Sequence, residues 1–188
     1  MIKIEITDGS VVDAFNRLID LGERPDGPLR AIGEKLIEFT KTRFEKSEDP
    51  YGVPWAPNSD VTLRRLLHAN ARKNFTPKGQ LSSKGAALLA GKKPLIGESK
   101  SLSTQFSYRL LDYAVTVSSP MIYAGVQQFG AKQGEFGRDR RNHPIPWGDI
   151  PARPFFPDAE RGLPQPLKDD FTTILQDAIL GAISGNGV

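Results

Sequence analysis

The stretch from Leu29 to Phe44 constrains this chain most. Leu29, Ile32, Gly33, Leu36, Ile37, Thr40 and Phe44 recur at spacings of three and four, so they line one face of a long helix. A stripe of that kind has to be buried against another layer. Pro28 suits the first turn of the helix, and the pattern runs to about Lys46. Directly afterwards the chain changes character. Asp49-Pro50-Tyr51-Gly52-Val53-Pro54-Trp55-Ala56-Pro57 has two Xaa-Pro steps and Gly52, which exclude helix. Trp55 is expected to fold back onto the core, because an exposed indole in a stiff loop is unusual.

Ile2, Ile4 and Ile6 alternate with Lys3 and Glu5, the period of a half-buried strand. Asp8 or Ser10 is placed to cap a helix bearing Val11, Val12, Phe15, Leu18 and Ile19, which Gly22 and Pro25-Asp26-Gly27 end. Past the proline loop, residues 62–71 read as a helix with Leu63, Leu66 and Leu67. Residues 73–83 and 91–94 read as loop, with a short helix over 84–89. Residues 99–105 hold one or two helical turns. Residues 106–111 and 113–118 form a hairpin, with Val115 and Val117 alternating against Thr116 and Ser118 around a tight turn near Asp112. Pro120 opens a short helix over 123–129 and Gly130 closes it. Residues 131–149 read as a mobile loop, and 150–156 as an extended arm able to pair as an edge strand. The last helix covers 166–183, and the tail 184–188 should fray. This order describes an α+β chain, with a small antiparallel sheet packed against two or three helices, long loops and an extended arm. One domain over 1–160, carrying a basic, flexible insertion at 61–97, is followed by a C-terminal amphipathic helix over 164–184.

Fifteen prolines and 18 glycines agree with long loops or arms. Cysteine is absent, which excludes disulfides and thiolate metal sites and fits assembly in a reducing cytoplasm. Residues 1–6 alternate with charge and do not read as a signal peptide. No stretch approaches the roughly 18 apolar residues of a membrane helix. The net charge of +3 is unevenly spread: residues 61–100 hold 9 basic and 1 acidic side chains, whereas residues 1–60 hold 8 and 12. The basic block reads either as a solvated insertion or as a surface for phosphate or an acidic protein face.

Chemistry-bearing constellations are missing. His68 and His143 are the only histidines, and no paired His or carboxylate stands at metal-ligand spacing. Gly130-Ala131-Lys132-Gln133-Gly134 lacks the context and the ending of a phosphate loop. Glu48 and Asp49 beside a proline turn read as backbone caps. No cofactor is expected. A nuclease or a small nucleic-acid-binding protein acting through the basic block is the rival reading. Clustered carboxylates for magnesium are lacking, and only Phe75 offers an aromatic for base stacking.

Three pieces in fixed order carry a resemblance: Phe44 followed by Asp49-Pro50-Tyr51-Gly52-Val53-Pro54-Trp55; Tyr123-Ala124 with Gln128-Phe129-Gly130; and Ile150-Pro151-Ala152-Arg153-Pro154-Phe155. Across residues 1–160 the chain resembles the phage virion morphogenesis family of tail completion proteins of Mu-like and P2-like phages. The resemblance implies a non-enzymatic virion protein at the head-proximal end of the tail, assembled in the host cytoplasm. Its implied partners are further copies of itself in a ring of six, the tail tube protein, the head–tail connector or neck protein, and a sheath protein where one is present. DNA is met only in passing, and no membrane. Residues 61–100 look longer and more basic than the family pattern.

The expected contacts with neighbouring subunits or the tube are Tyr123, Phe129, Arg138, Arg140, Arg141, Ile150, Arg153, Phe155 and Phe156; Tyr123 and Phe129 have the core as an alternative, and the three arginines a solvated loop. Arg153 has an alternative, a carboxylate inside the domain. Of Phe155 and Phe156, one should point inward and the other outward. Arg64, Arg65, Arg72, Lys73, Lys92 and Lys93 are the expected contacts with an acidic partner or DNA.

Overall fold

The long helix expected after Pro28 opens slightly earlier, at Asp26. Leu29 N–H already donates to Pro25 O at 3.0 Å, and Pro28, which has no N–H to lose, falls in the first turn. The structure is a computed structural model that describes residues 9–185. The expected strand over Ile2, Ile4 and Ile6 and the capping role of Asp8 lie outside those residues.

Eight helices and a two-stranded sheet occur among the described residues, which makes the chain α+β. In chain order they are α1 (Gly9–Glu23), α2 (Asp26–Lys46), α3 (Asp60–His68), α4 (Ala71–Asn74), α5 (Ser83–Ala90), α6 (Ser101–Thr104), β1 (Ser107–Leu111), β2 (Ala114–Ser118), α7 (Ala124–Phe129) and α8 (Gln165–Ser184). The chain divides into two compact units. The first takes in the described residues of Met1–Thr40, Phe106–Pro120 and Pro157–Val188. The second takes in Lys41–Gln105 and Met121–Phe156.

In the first unit β1 and β2 form an antiparallel hairpin. Its register runs from Ser107 opposite Ser118 to Leu111 opposite Ala114, and Asp112 and Tyr113 make the turn. The half-buried face carries Tyr108, Leu110, Val115 and Val117. It meets α2 at Gly33. A Cβ there would lie 2.9 Å from both Tyr108 Cγ and Val115 Cγ2, so only glycine admits this approach of helix to sheet. α1 packs along α8. Arg17 ties them, its Nε donating to Ala182 O at 2.6 Å and its Nη2 to Ile183 O at 3.1 Å. Those carbonyls end α8, where a cation is favoured. Ser10 lies inside α1 rather than capping it, and Ser184 belongs to α8, which Gly185 closes.

In the second unit, the region read as a flexible insertion folds into α3, α4 and α5, which pack on one another. Buried Asn74 donates from Nδ2 to Leu67 O at 2.8 Å, and Ser82 Oγ donates to Lys73 O at 2.7 Å. Ser59 and Ser82 cap α3 and α5 by accepting from Thr62 N–H and Gly85 N–H. These side-chain-to-backbone ties give no periodic signal, which is why residues 73–83 read as loop, while the helices expected over 62–71 and 84–89 appear as α3 and α5. The single helix expected over 62–71 is interrupted at Ala69 and Asn70.

Candidate assembly surface

The centre of the second unit is aromatic. Phe44, from the last turns of α2, meets Trp55 edge-on at 5.1 Å between ring centroids and Phe155 at 5.3 Å. The proline loop reaches this position through Asp49, which is buried. Its Oδ1 accepts from Tyr51 N–H and Val53 N–H, both at 2.8 Å, while Glu48 pairs with Arg43 at 2.6 Å. Asp49 thus caps backbone as expected, whereas Glu48 is engaged by cations of α2. Trp55 turns inward as expected and donates from Nε1 to Pro154 O at 2.8 Å.

The arm over 150–156 is extended but is not an edge strand. Only Ile150 bridges, opposite Ala131. The place of a strand partner is taken by one side chain. Gln128, buried on α7, accepts at Oε1 from Phe155 N–H at 2.9 Å and Phe156 N–H at 3.1 Å, and donates from Nε2 to Phe156 O at 3.0 Å. Arg153 N–H donates to Gln127 O at 2.7 Å. Gly130 ends α7 at φ +76°, and a Cβ there would lie 2.7 Å from Ile150 O, so helix and arm meet at a position only glycine can occupy.

Arg153 and Phe155, both expected at a partner contact, are taken up inside the unit. The Arg153 guanidinium donates to Ala56 O at 2.8 Å and Pro57 O at 2.7 Å, so its partners are two backbone carbonyls and not a carboxylate. Burial draws its pKa below the ordinary arginine value. Phe155 is 1% exposed, and the Phe156 ring meets it at a tilt with centroids 4.9 Å apart while remaining half-buried.

Residues 131–149, read as a mobile loop, form a hydrogen-bonded excursion. Ala131 and Ile150 exchange both backbone bonds, at 3.0 and 2.8 Å. Arg138 and Pro144 bridge further out, and Phe136 N–H donates to Ile145 O at 2.8 Å. Asp139 accepts from Arg141 N–H and His143 N–H, and Asp149 accepts from Gln133 N–H. Those bonds hold both carboxyls below the ordinary aspartate range, the His143 and Gln133 amides contributing most. Here the glycines make turns that aspartates staple.

Several large apolar side chains are exposed on this unit among charged ones. Phe129 is 78% exposed on α7 and Trp147 71% exposed in the excursion, with Ile122 and Phe136 also open. Trp147 keeps one ring contact, with His143 at 5.1 Å. Sequence reasoning selected Phe129 but passed over Ile122, Phe136 and Trp147. An indole amid glycine and proline was the available signal. It also missed the role of Gln128, whose one trace is an amide beside an apolar helix end.

Tyr123, Ile150 and Arg153 line one groove of about 470 Å³, which Lys92, Asn58 and Asp149 also border. Lys92 and Lys93 donate to Ile96 O and Glu45 O, so both ammoniums bind their own backbone. Arg138 donates to Asn142 O at 2.9 Å, whereas Arg140 and Arg141 are exposed in the excursion. Arg64 and Arg65 on α3 and Arg72 and Lys73 on α4 are exposed. Among the described residues no group of three or more His, Asp or Glu side chains is placed to hold a metal ion.

The model of the phage virion morphogenesis family matches residues 6–165, ending at the first residue of α8. Neither a curated protein nor a solved structure matches the chain.

Proposed function

The chain belongs to the phage virion morphogenesis family, whose role is structural or in assembly, and on that premise we propose that it completes the head-proximal end of a phage tail. Copies of the chain form a ring, six in number by the resemblance, that caps the tail tube and offers the joining surface to the connector or neck protein of the filled head. The observation that carries this reading is the outer surface of the second unit. Phe129, Phe136, Trp147 and Ile122 face outward from a frame locked by Gln128, Arg153 and the Phe44–Trp55–Phe155 cluster. Large apolar side chains on a pre-ordered backbone bind with little ordering cost, as a terminal cap must. Arg138, Arg140 and Arg141, on the same excursion, supply a cationic margin.

The test is complementation of a phage that lacks this protein. Because Ala131 and Ile150 bond to each other, residues 132–149 can be replaced by a short glycine linker with the bridge retained. The truncated protein is expected to fold, by circular dichroism, and to leave filled heads and unjoined tails in electron micrographs. Normal virions from it would overturn the reading.

A further inference from the structure

Arg153 is a buried cation without an anion. It is 8% exposed and forms no ion pair among the described residues. Its Nε and Nη2 donate to the neutral carbonyls of Ala56 and Pro57, and its Nη1 donates to no group among the described residues. The end of a guanidinium formed by its two terminal nitrogens is an edge that holds a carboxylate in a two-bond fork. A charge withdrawn from water without a counter-charge is costly. Arg43, buried to a similar degree, has its counter-charge in Glu48 at 2.6 Å.

The groove of about 470 Å³ that Arg153 lines has the same electrical sense. Lys92 borders it and donates to Ile96 O, another neutral group. The first turn of α3 borders it at Ser59 and Thr62, where the helix dipole favours negative charge. Asp60, on that turn, is exposed and is not part of the lining. Asp149 is the one carboxylate of the lining, and Lys132 at 3.1 Å and the Gln133 amide at 2.8 Å already engage it. Leu95, Ile96, Tyr123 and Ile150 supply apolar wall. Leu95 is held at φ +59°, a left-handed conformation that a bulky residue adopts only under constraint and that recurs where ligands are clamped.

We propose that this groove binds an extended acidic peptide segment of a partner protein. An Asp or Glu carboxylate of the segment sits on Arg153, and its flanking aliphatic side chains lie on the wall of Leu95, Ile96 and Ile150. One negative charge between apolar neighbours is what the lining complements. A nucleic-acid strand suits it less, because the neighbours of each phosphate are sugars and further phosphates, set here against apolar wall and Asp149. The proposal does not rest on the tail reading, since neither Phe129 nor Trp147 lines the groove and the test uses the purified chain alone.

The experiment selects binders from a random linear peptide library on the immobilised full chain. The recovered peptides should carry Asp or Glu beside aliphatic residues and bind the chain in solution, by fluorescence anisotropy. Exchanging the acid of the tightest one for its amide, Asp for Asn or Glu for Gln, should weaken it about tenfold or more. The peptide should also shift the Arg153 Nε–H resonance. Thr62→Glu is the decisive variant. It sets a carboxylate on the groove wall, and with Ser59 as N-cap it completes a capping box, so α3 keeps its start. Binding should fall about tenfold or more while circular dichroism stays that of the parent. Lys92→Gln should weaken binding about threefold. A library that yields no acidic peptide overturns the proposal. So does a peptide that binds as well in its amide form, that binds Thr62→Glu as tightly as the parent, or that leaves the Arg153 resonance in place. Duplex DNA binding that Thr62→Glu abolishes, with no acidic peptide recovered, would assign the groove to phosphate and also overturn it.

Discussion

Phe155 and Phe15 are the same residue type on two segments that both read as apolar, yet Phe155 is 1% exposed and Phe15 56%. Phe155 lies in a proline-rich arm with no regular secondary structure, Phe15 on a regular amphipathic helix. In the second unit the irregular chain is the best buried, because a guanidinium, an amide and a carboxylate answer its backbone groups where no sheet does. In the first unit, regular helices satisfy their own backbone and leave their apolar side chains uncovered. Internal hydrogen bonding lets a helix stand without a neighbour, whereas an extended arm holds its place only if something else binds it. The two regions therefore differ in kind: a side-chain-locked irregular frame in one, and a pair of regular helices with exposed apolar side chains in the other.

The largest expected effect that sharpens this contrast is Phe155→Ala. It should lower stability by about 3–5 kcal/mol in urea unfolding, since the ring fills the space between Phe44 and Phe156. A loss under about 1 kcal/mol would mean that the arm is not part of the core. Next comes Arg153→Met, which keeps the side-chain bulk but leaves the carbonyls of Ala56 and Pro57 without their donor. A loss of about 2 kcal/mol is expected from the same titration. Phe15→Ser on α1 should cost the isolated chain less than about 1 kcal/mol, in keeping with its exposure. A loss as large as that of Phe155→Ala would break the comparison.

The smallest effect is in acid. The Asp139 and Asp149 carboxyls titrate below the ordinary range because amides donate to their charged forms. A carboxyl depressed in the folded state stabilises above its unfolded pKa, and that contribution is lost as pH falls through the folded value. The 131–149 excursion should therefore loosen only below about pH 4. The amide proton resonances of His143 and Gln133 should follow the two titrations, with midpoints below that of free aspartate. Midpoints at the free value would show that the staples do not hold in solution.

Much of the secondary structure was legible because its signals are local. The α2 stripe, the β1–β2 alternation, the α8 periodicity and the glycine closing α7 all appear where they were read, with ends shifted by a residue or two. The inward turn of Trp55 was legible for a different reason: a stiff loop leaves an indole few ways to avoid water. The outward surface was legible only in part. Phe129 is exposed, and Phe155 and Phe156 divide between core and half-buried positions, but in a seven-residue extended segment alternation does not say which of the two faces the core. Residues 73–83 and 131–149 read as loop because side-chain staples such as Asn74, Ser82, Asp139 and Asp149 have no period.

By itself the sequence determined most of the elements, the basic block over residues 61–100 and, through three short motifs in order, the family. These follow from periodicity, from proline and glycine backbone limits, and from composition, all of which act between near neighbours. The tertiary structure alone decided which apolar residues are core and which are display. Burial depends on what arrives from far along the chain: Pro154 O comes to Trp55 from 99 residues away, and Ala56 O to Arg153 from 97. No local pattern carries that information.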